Sequence, residues 1–419
     1  MSTKNLSKKL AAIEPGTLFV GVDLALDCNT AVVLTQQAQR LDRFTFPNDR
    51  DGFDYFYNRV TTLQERHHAP GALVGMEPTN YFWKLLATDL EPRLVPYRLI
   101  NPYTVKKHRE GDQLARSKDD NRDAFTIADL LRTGKFTETR LLHGGYAELR
   151  QIVTLFSRLQ RDIRRQKNLI CNLARQLFPE LSSLFKDYTG DTAIALLRNH
   201  AAAVIICEMS QDAFIAAVRA DFHGQRLQVS KLRRTHSLAA RSVGLKHGLH
   251  ALQLALRLHI DTFTTLQHHL AEAERSLTHT FLALPESSFL LSVHGLGLVT
   301  AAVILSEIGD PNNFSNPRQL IKLAGTQPVP NTSGRKSRSK TPMSHKGRPR
   351  LRTALFFAVL RLIQVDAAFA SLYLRLQHRH DNPLTKMQAV GVLMNKLLRV
   401  LWALIHNRSF YNPALLLPD

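Results

Sequence analysis

The sequence predicts an α/β domain at the N-terminus, two long heptad helices in the middle and a compact all-helical domain at the C-terminus. Three patterns carry this reading. Five short apolar runs alternate with helical stretches up to about Thr137, two later segments keep 3,4 apolar spacing over many turns, and from Pro285 onward helical patterns are broken by glycine turns and one basic stretch. The chain has 419 residues, too many for one ordinary domain, and 44% hydrophobic residues supply enough apolar surface for real cores.

The runs are LFVGVDLAL, TAVVLT, LDRFTF, ALVGME and VPYRLIN. The first three follow one another closely, as in a β-meander. The fourth and fifth are separated by helical segments, Gly52 to His67 and Tyr81 to Leu90, so a mixed sheet with helices on its faces follows.

In the middle, Leu149, Ile152, Phe156, Leu159, Ile163, Ile170, Leu173 and Leu177 form one heptad seam, with Gln166 as its polar interruption. A second seam runs through Leu249, Leu252, Leu256, His259, Phe263, Leu266, Leu270, Ala273 and Leu277. The two helices either pair with each other or pair across a dimer, and Gln166 and His259 read as determinants of register or partner rather than as ligands. Arg150, Arg158, Arg161, Arg164, Arg165, Lys167 and Arg175 decorate the first helix, and only Asp162 opposes them. Such a face is either solvated or bound to nucleic acid, and its single sign favours nucleic acid. The intervening Ser182 to Gly244 reads as mixed helix and loop, with a basic run at Lys231 to Arg234.

In the last domain, Gly295 and Gly297 separate two apolar helical segments. This pattern suits either a helix-hairpin-helix-like element, whose backbone N–H groups approach a phosphate, or a plain tight turn. Asn316 and Pro317 signal a helix start, and Gly325 its end. Asn331 to Arg352 holds Arg335, Lys336, Arg338, Lys340, Lys346, Arg348, Arg350 and Arg352 with no acid, which predicts a mobile basic arm. Leu351 to Val365 and Lys386 to Ile405 read as the amphipathic helices that close the domain.

Charge points to a polyanionic partner. Lys plus Arg number 55 against 35 Asp plus Glu, a net charge of +20. Three scattered cysteines, Cys28, Cys171 and Cys207, exclude a disulfide framework and a cysteine zinc cluster and suit a reducing cytoplasm. The first residues lack the apolar core of a secretory signal, and the longest apolar stretch, Phe289 to Leu305, is interrupted by Ser292, His294, Gly295 and Gly297, so no membrane association is expected.

The candidate chemistry rests on carboxylates. Asp23 falls in the middle of an apolar strand and Glu77 at the end of another, while Asp119, Asp120 and Asp123 open a helix on which Asp120 and Asp123 share a face. Singly, the helix acids suit N-terminal capping and Asp23 suits a strand-end turn. Together, Asp23, Glu77, Asp120 and Asp123 are what a divalent-metal phosphodiester site on an RNase H-like sheet needs, with Mg²⁺ or Mn²⁺ held by oxygens from separate elements. An actin-like sugar kinase also begins with a strand aspartate, but Asp23-Leu-Ala-Leu-Asp27-Cys has no glycine through which backbone could reach a phosphate. Ser333, beside Gly334 and among cations, reads either as a flexible linker residue or as a nucleophile presented on an accessible turn.

The order Gly21-Val-Asp23, Glu77-Pro-Thr79, Asn101-Pro102 and Lys118-Asp-Asp120-Asn-Arg-Asp123-Ala124 is followed by a helical middle, Gly295-Leu-Gly297 and Thr332-Ser333-Gly334. Met343-Ser344-His-Lys346-Gly347 and Leu351-Arg352 complete it. From about Leu18 to Pro413 this resembles the DEDD transposases of the insertion-sequence family numbered one hundred and ten. The resemblance implies a RuvC-like N-terminal domain with Asp23, Glu77, Asp120 and Asp123 as metal ligands, and a C-terminal domain with Ser333 as the nucleophile that becomes joined to DNA. Asp119 stands where the family usually has Thr or Ser, so Asp119 and Asp120 are alternatives for one ligand.

It further implies a recombinase guided by a bridge RNA that pairs with donor and target DNA, assembled as a homo-oligomer, dimer or tetramer, in a prokaryotic cytoplasm at the nucleoid. The expected organisation is a tail at 1–16, a RuvC-like domain at 17–140, a helical middle at 145–284 with an insertion at 182–244, and a serine domain at 285–419. Nucleic-acid contacts are expected from Arg158, Arg161, Arg165, Gly295, Gly297, Arg335, Lys336, Arg338 and Lys346. Two rivals are a RuvC-like nuclease or junction resolvase without a covalent serine intermediate, and a non-catalytic nucleic-acid-binding scaffold.

Overall fold

The computed structural model describes residues 3–78, 80–112, 120–137, 141–223, 226–329, 332–333, 336–337 and 342–416, with side chains for these except residues 3–5, 8, 109, 111–112, 120–121, 332–333 and 336–337. Two compact units divide the chain, Met1–Leu141 and Leu142–Asp419.

The first unit runs α1 (Thr3–Ala11), β1 (Leu18–Asp23), β2 (Cys28–Leu34), β3 (Arg40–Pro47), α2 (Arg50–Arg66), β4 (Ala72–Met76), α3 (Phe82–Leu90), β5 (Tyr97–Leu99), α4 (Pro102–Asp112) and α5 (Asp120–Arg132). Its five strands lie in the order β3-β2-β1-β4-β5. The pairs β1–β2 and β2–β3 are antiparallel, whereas β4 runs parallel to β1 and β5 parallel to β4. This is the mixed sheet that the run spacing predicts, and it is consistent with an RNase H-like domain.

Alternation along the strands makes two cores. Leu18, Val20 and Val22 of β1 and Ala72, Val74 and Met76 of β4 pack with Phe56, Val60, Leu63, Leu86 and Leu90 of α2 and α3. Phe19 of β1 and Leu73 of β4 face the other way, against Ala124, Ile127, Ala128 and Leu131 of α5.

The second unit is helical: α6 (Gly144–Leu177), α7 (Asp191–Asn199), α8 (Ala203–Cys207), α9 (Gln211–Ala220), α10 (Val229–Ala239), α11 (Leu249–Leu282), α12 (Ser287–Leu291), α13 (Leu298–Ile308) and α14 (Pro317–Ala324), a two-residue ribbon of β6 (Thr332–Ser333) and β7 (Lys336–Ser337), then α15 (Pro349–Val365), α16 (Ala367–His378) and α17 (Lys386–Asn407). The two 34-residue helices α6 and α11 pair with each other within the chain. They run antiparallel: Leu149, Val153 and Phe156 share one core with Leu277 and Phe281, while Ile163 and Ile170 share another with Leu256, Ile260 and Phe263.

The buried seam differs from the expected one at two places on α6, where Val153 and Ala174 are buried and Ile152 and Leu173 only half-buried. The 3.6-residue repeat drifts against a strict heptad, so the stripe shifts by one position over a long helix. The first core is completed by α12 to α17 and the second by the four helices of the 182–244 segment.

Local signals explain several boundaries. Asn316 caps α14 by accepting from Arg318 N at 2.8 Å, and Gly325 ends it at φ +69. Thr385 and Gln388 form a capping box at the start of α17. By length and composition α17 passes for a membrane span, but Leu393, Met394, Leu397, Leu398 and Leu401 are buried in the first core, as in a core helix.

Candidate functional site

Asp23 is the last residue of β1 rather than a mid-strand residue, and Glu77 directly follows the last residue of β4. The expectation of a longer strand came from reading Leu24 to Leu26 as its continuation. The chain turns there instead, held by Asn29: Ala25 N donates to Asn29 Oδ1 at 3.1 Å, Asn29 donates to Asn48 Oδ1 at 2.7 Å, and Asn48 donates to the Ala25 and Leu26 carbonyls at 2.6 and 2.9 Å. Asn29 is fully buried, a polar residue at the mouth of an apolar run, and that was its available signal.

β1 and β4 are register neighbours, with Val22 opposite Met76, so Asp23 and Glu77 emerge side by side at the same end of adjacent parallel strands. The rows Phe19–Gly21–Asp23 and Leu73–Gly75–Glu77 follow the two-residue alternation and belong to the α5 side of the sheet. A Cβ on Gly21 would come within 2.1 Å of Ala124 O and 2.4 Å of Ala128 N, so the helix rests on bare backbone. Asp123 immediately precedes Ala124 and is 7% exposed, which puts a buried carboxylate on the helix turn that covers Gly21.

Asp120 opens α5, but its side chain and the whole of Asp119 lie outside the described residues. Among the described residues no three His, Cys, Asp or Glu side chains form a metal-holding group. The donor chemistry nonetheless fits a hard divalent cation: Asp23, Glu77 and Asp123 are carboxylates brought by two strand ends and a helix to one side of one sheet edge.

In the second unit, Arg158, Arg161 and Arg165 are exposed on α6, and Arg161, Arg164 and Arg165 line a shallow groove with Asn168. Gly295, at φ +98, packs where a Cβ would meet the Val365 side chain at 2.4 Å, whereas Gly297 has open space around it at the N-cap of α13. Close packing on α15 thus accounts for Gly295, and Gly297 leaves the start of α13 accessible.

Ser333 and Lys336 sit in the β6–β7 ribbon with side chains outside the described residues, as are Arg335 and Arg338 altogether, and Lys346 is exposed. The stems that hold the ribbon are well defined. Val329 N donates to Pro342 O at 2.9 Å, Ser344 N to Gln327 O at 2.9 Å, His345 N to Gly325 O at 3.0 Å and Arg348 N to Leu323 O at 2.7 Å. Gly325 and Gly347 cross so closely that a Cβ on Gly347 would lie 2.3 Å from Gly325 N. Asn395 of α17 locks the stem through Thr326, accepting from its hydroxyl at 2.5 Å and donating to its carbonyl at 3.2 Å.

The expectation of a mobile arm through Arg352 is therefore corrected at its C-terminal end. Arg348 caps α15, Arg350 and Arg352 lie in its first turn, and Arg352 donates to Ala324 O at 2.9 Å. Basic composition alone could not separate these anchored arginines from the ribbon's cations.

Comparisons with known proteins agree on one family. Residues 20–179 match the profile of the IS110 DEDD type described as a transposase, and residues 287–374 match that of the transposase IS116/IS110/IS902 family. The IS117 mini-circle transposase of Streptomyces coelicolor is 26% identical over 340 residues, covering 76% of this chain and 78% of that protein. The 42 kDa protein of insertion element IS900 from Mycobacterium paratuberculosis is 24% identical over 411 residues, 95% of this chain and 98% of its own length. A pilin gene-inverting protein of Moraxella bovis is 29% identical over 169 residues, 38% of this chain and 52% of that protein.

Proposed function

The chain belongs to the transposase IS116/IS110/IS902 family, enzymes that cut and rejoin DNA, and on that premise we propose that it recombines its own element with a metal-binding acidic tetrad and a serine nucleophile. The tetrad is Asp23, Glu77, Asp120 and Asp123, with Asp119 as the alternative to Asp120. The observation that carries this is the emergence of Asp23 and Glu77 at one edge of paired strands, beside the helix bearing Asp123. Mg²⁺ or Mn²⁺ held there would supply charge neutralisation at the attacked phosphate and its leaving oxygen. The carboxylates' own part is to bind the cation, with their oxygens fixed by two strand ends and a tightly packed helix.

Ser333 supplies the attacking hydroxyl in this reading, and the ribbon stems present it. Its oxygen forms a phosphoserine bond as a DNA phosphodiester breaks, the departing DNA oxygen takes up a proton and the serine gives one up. By the family resemblance, a bridge RNA pairs with donor and target DNA, and the acidic site of one protomer works with the serine of another in a homo-oligomer, dimer or tetramer. The antiparallel α6–α11 pair serves as a coiled-coil spine. Arg158, Arg161 and Arg165 on it, Gly297 in a helix-hairpin-helix-like element, and the cations Arg335, Lys336, Arg338 and Lys346 contact nucleic-acid backbones. The domains are those at 17–140, 145–284 and 285–419, and the enzyme works in the cytoplasm on the nucleoid.

Strand cleavage on DNA carrying the element ends tests the proposal. Asp23→Asn and Asp123→Asn should each lower cleavage at least about a hundredfold with the fold intact, and excess chelator should do the same to the unaltered protein. Near-normal cleavage by either folded variant overturns the metal site.

A further inference from the structure

Glu307, near the C-terminal end of α13, is 6% exposed, and three arginines converge on it. Arg150 of α6 donates through Nε to the Ser306 carbonyl, and Arg348 donates to the Glu307 carbonyl with its Nη1 3.8 Å from Oε2. Arg350 places Nη1 3.3 Å from Oε1 of Glu307 and 3.2 Å from the Thr154 hydroxyl.

A helix C-terminus offers roughly half a negative charge, so with one carboxylate it offsets about 1.5 of three positive charges. The surplus is felt inside the cluster. Burial pushes the Arg150 guanidinium down to about 10, with the like charges of Arg348 and Arg350 adding to the shift and Glu307 opposing it. Arg150 Nη2 is buried and has no acceptor among the described residues.

The same place is the start of α15. Arg348 is its N-cap, Pro349 follows, and no side chain caps the helix, so the positive end of a 17-residue helix adds to the surplus. The side chains of Arg348 and Arg350 are 33% and 34% exposed, so the cluster is partly open to solvent. Arginine forks match the planar oxygens of a phosphate, and a helix N-terminus accepts one.

We propose that Arg150, Arg348 and Arg350, with the Thr154 hydroxyl and the uncapped first turn of α15, form a binding site for a phosphodiester group of a nucleic-acid backbone. Glu307 holds the guanidiniums in place and is too small a counter-charge to satisfy them. The site sits at the foot of the serine ribbon, since Arg348 N closes the ribbon stem on Leu323 O at 2.7 Å. A backbone anchored here is thereby tied to the segment that carries Ser333. The inference rests on the reading of the chain as a nucleic-acid recombinase, and it names one anchoring point for that substrate.

Binding of the full-length protein to a random-sequence DNA duplex and to an unstructured single-stranded RNA, each measured across a salt series, tests the site. Arg350→Gln should weaken binding of one probe roughly three- to tenfold at fixed salt, and flatten the slope of log affinity against log salt by about 0.9 for duplex or about 0.7 for single-stranded RNA. The probe that responds identifies whether DNA or RNA occupies the site. Arg350→Lys should keep most of the slope while losing affinity, because it retains charge without the fork. Arg219→Gln, which removes one exposed charge from α9, should change neither slope. Equal slope changes in Arg350→Gln and Arg219→Gln, or an unchanged slope in folded Arg350→Gln, overturn the site alone. Wild-type protein that binds neither probe overturns it together with the recombinase reading.

Discussion

Gly21 and Gly75 are register partners on adjacent parallel strands, and α5 lies across both. The two positions differ in what a side chain would meet. At Gly21 a Cβ would strike helix backbone at 2.1 and 2.4 Å, whereas at Gly75 it would approach only the Leu131 and Ile127 side chains at 3.1 and 3.2 Å. Backbone cannot step aside without moving the helix, and the helix carries Asp123. Gly21→Ala is therefore expected to cost about 3 kcal/mol or more in denaturant unfolding and to depress DNA cleavage further than the stability loss explains. Gly75→Ala should cost about 1 kcal/mol or less and leave cleavage near normal. Equal effects of the two substitutions would mean that the approach of α5 to β1 does not set the carboxylate geometry.

The polar break in each long helix meets its counterpart: His259 Nδ1 lies 2.9 Å from Gln166 Oε1 inside the α6–α11 seam. Such a pair fixes register because slippage takes both half-buried groups away from their partner. His259→Leu alone should cost about 1–3 kcal/mol, by orphaning the glutamine amide, while Gln166→Leu combined with His259→Leu should be close to neutral. A thermodynamic cycle from urea unfolding checks this. Additive costs would show that the hydrogen bond contributes nothing specific.

Much of this was legible in the chain, and the failures have physical causes. The strand runs, the helix start at Asn316 and the polar breaks at Gln166 and His259 follow from alternation, capping chemistry and heptad spacing, which are local signals, whereas that the two breaks meet each other is seen only in the fold. Asp23 ended its strand sooner than apolar composition suggested, because Asn29 and Asn48 pull the chain into a turn through contacts nineteen residues apart in sequence. Arg348, Arg350 and Arg352 looked like free cations because nothing local marks Glu307 and the Ala324 carbonyl as their partners. Asn395 was not singled out at all, although its amide makes two hydrogen bonds to Thr326 at the base of the ribbon. Long-range polar contacts leave no period in a sequence.

A guide RNA makes a further demand on the protein. Purified from cells that carry the flanking element, it should retain a structured transcript, and it should bind that transcript more tightly than random RNA of equal length. Binding should fall steeply with salt, since each neutralised phosphate releases counterions. Replacing Arg158, Arg161 and Arg165 together by Gln should flatten the salt slope by about 2 if all three exposed side chains meet single-stranded phosphates. Equal affinity for both RNAs, across the salt series, removes the support for guidance.

The most demanding expectation concerns Ser333. A serine hydroxyl is a weak nucleophile at its ordinary acidity, and the cations around it in sequence offer charge but no base, so its activation depends on the acidic site. The two sites should accordingly fail together: Ser333→Ala and Asp23→Asn should each abolish a covalent protein–DNA adduct, while folding and DNA binding stay intact. Denaturing gels on trapped reactions read the adduct, and peptide mapping reads its position. The Asn395→Ala variant separates chemistry from presentation, because it leaves Ser333 in place and loosens only the Thr326 anchor of the ribbon stem. It should slow adduct formation without abolishing it, and DNA binding should be unchanged. An adduct at Ser337, Ser339 or Ser344, or one that survives Ser333→Ala, assigns the nucleophile to a different residue. Strand cleavage by the wild type with no adduct at any point of the time course assigns the chain to the plain nuclease mechanism, in which water attacks and the serine ribbon has another use.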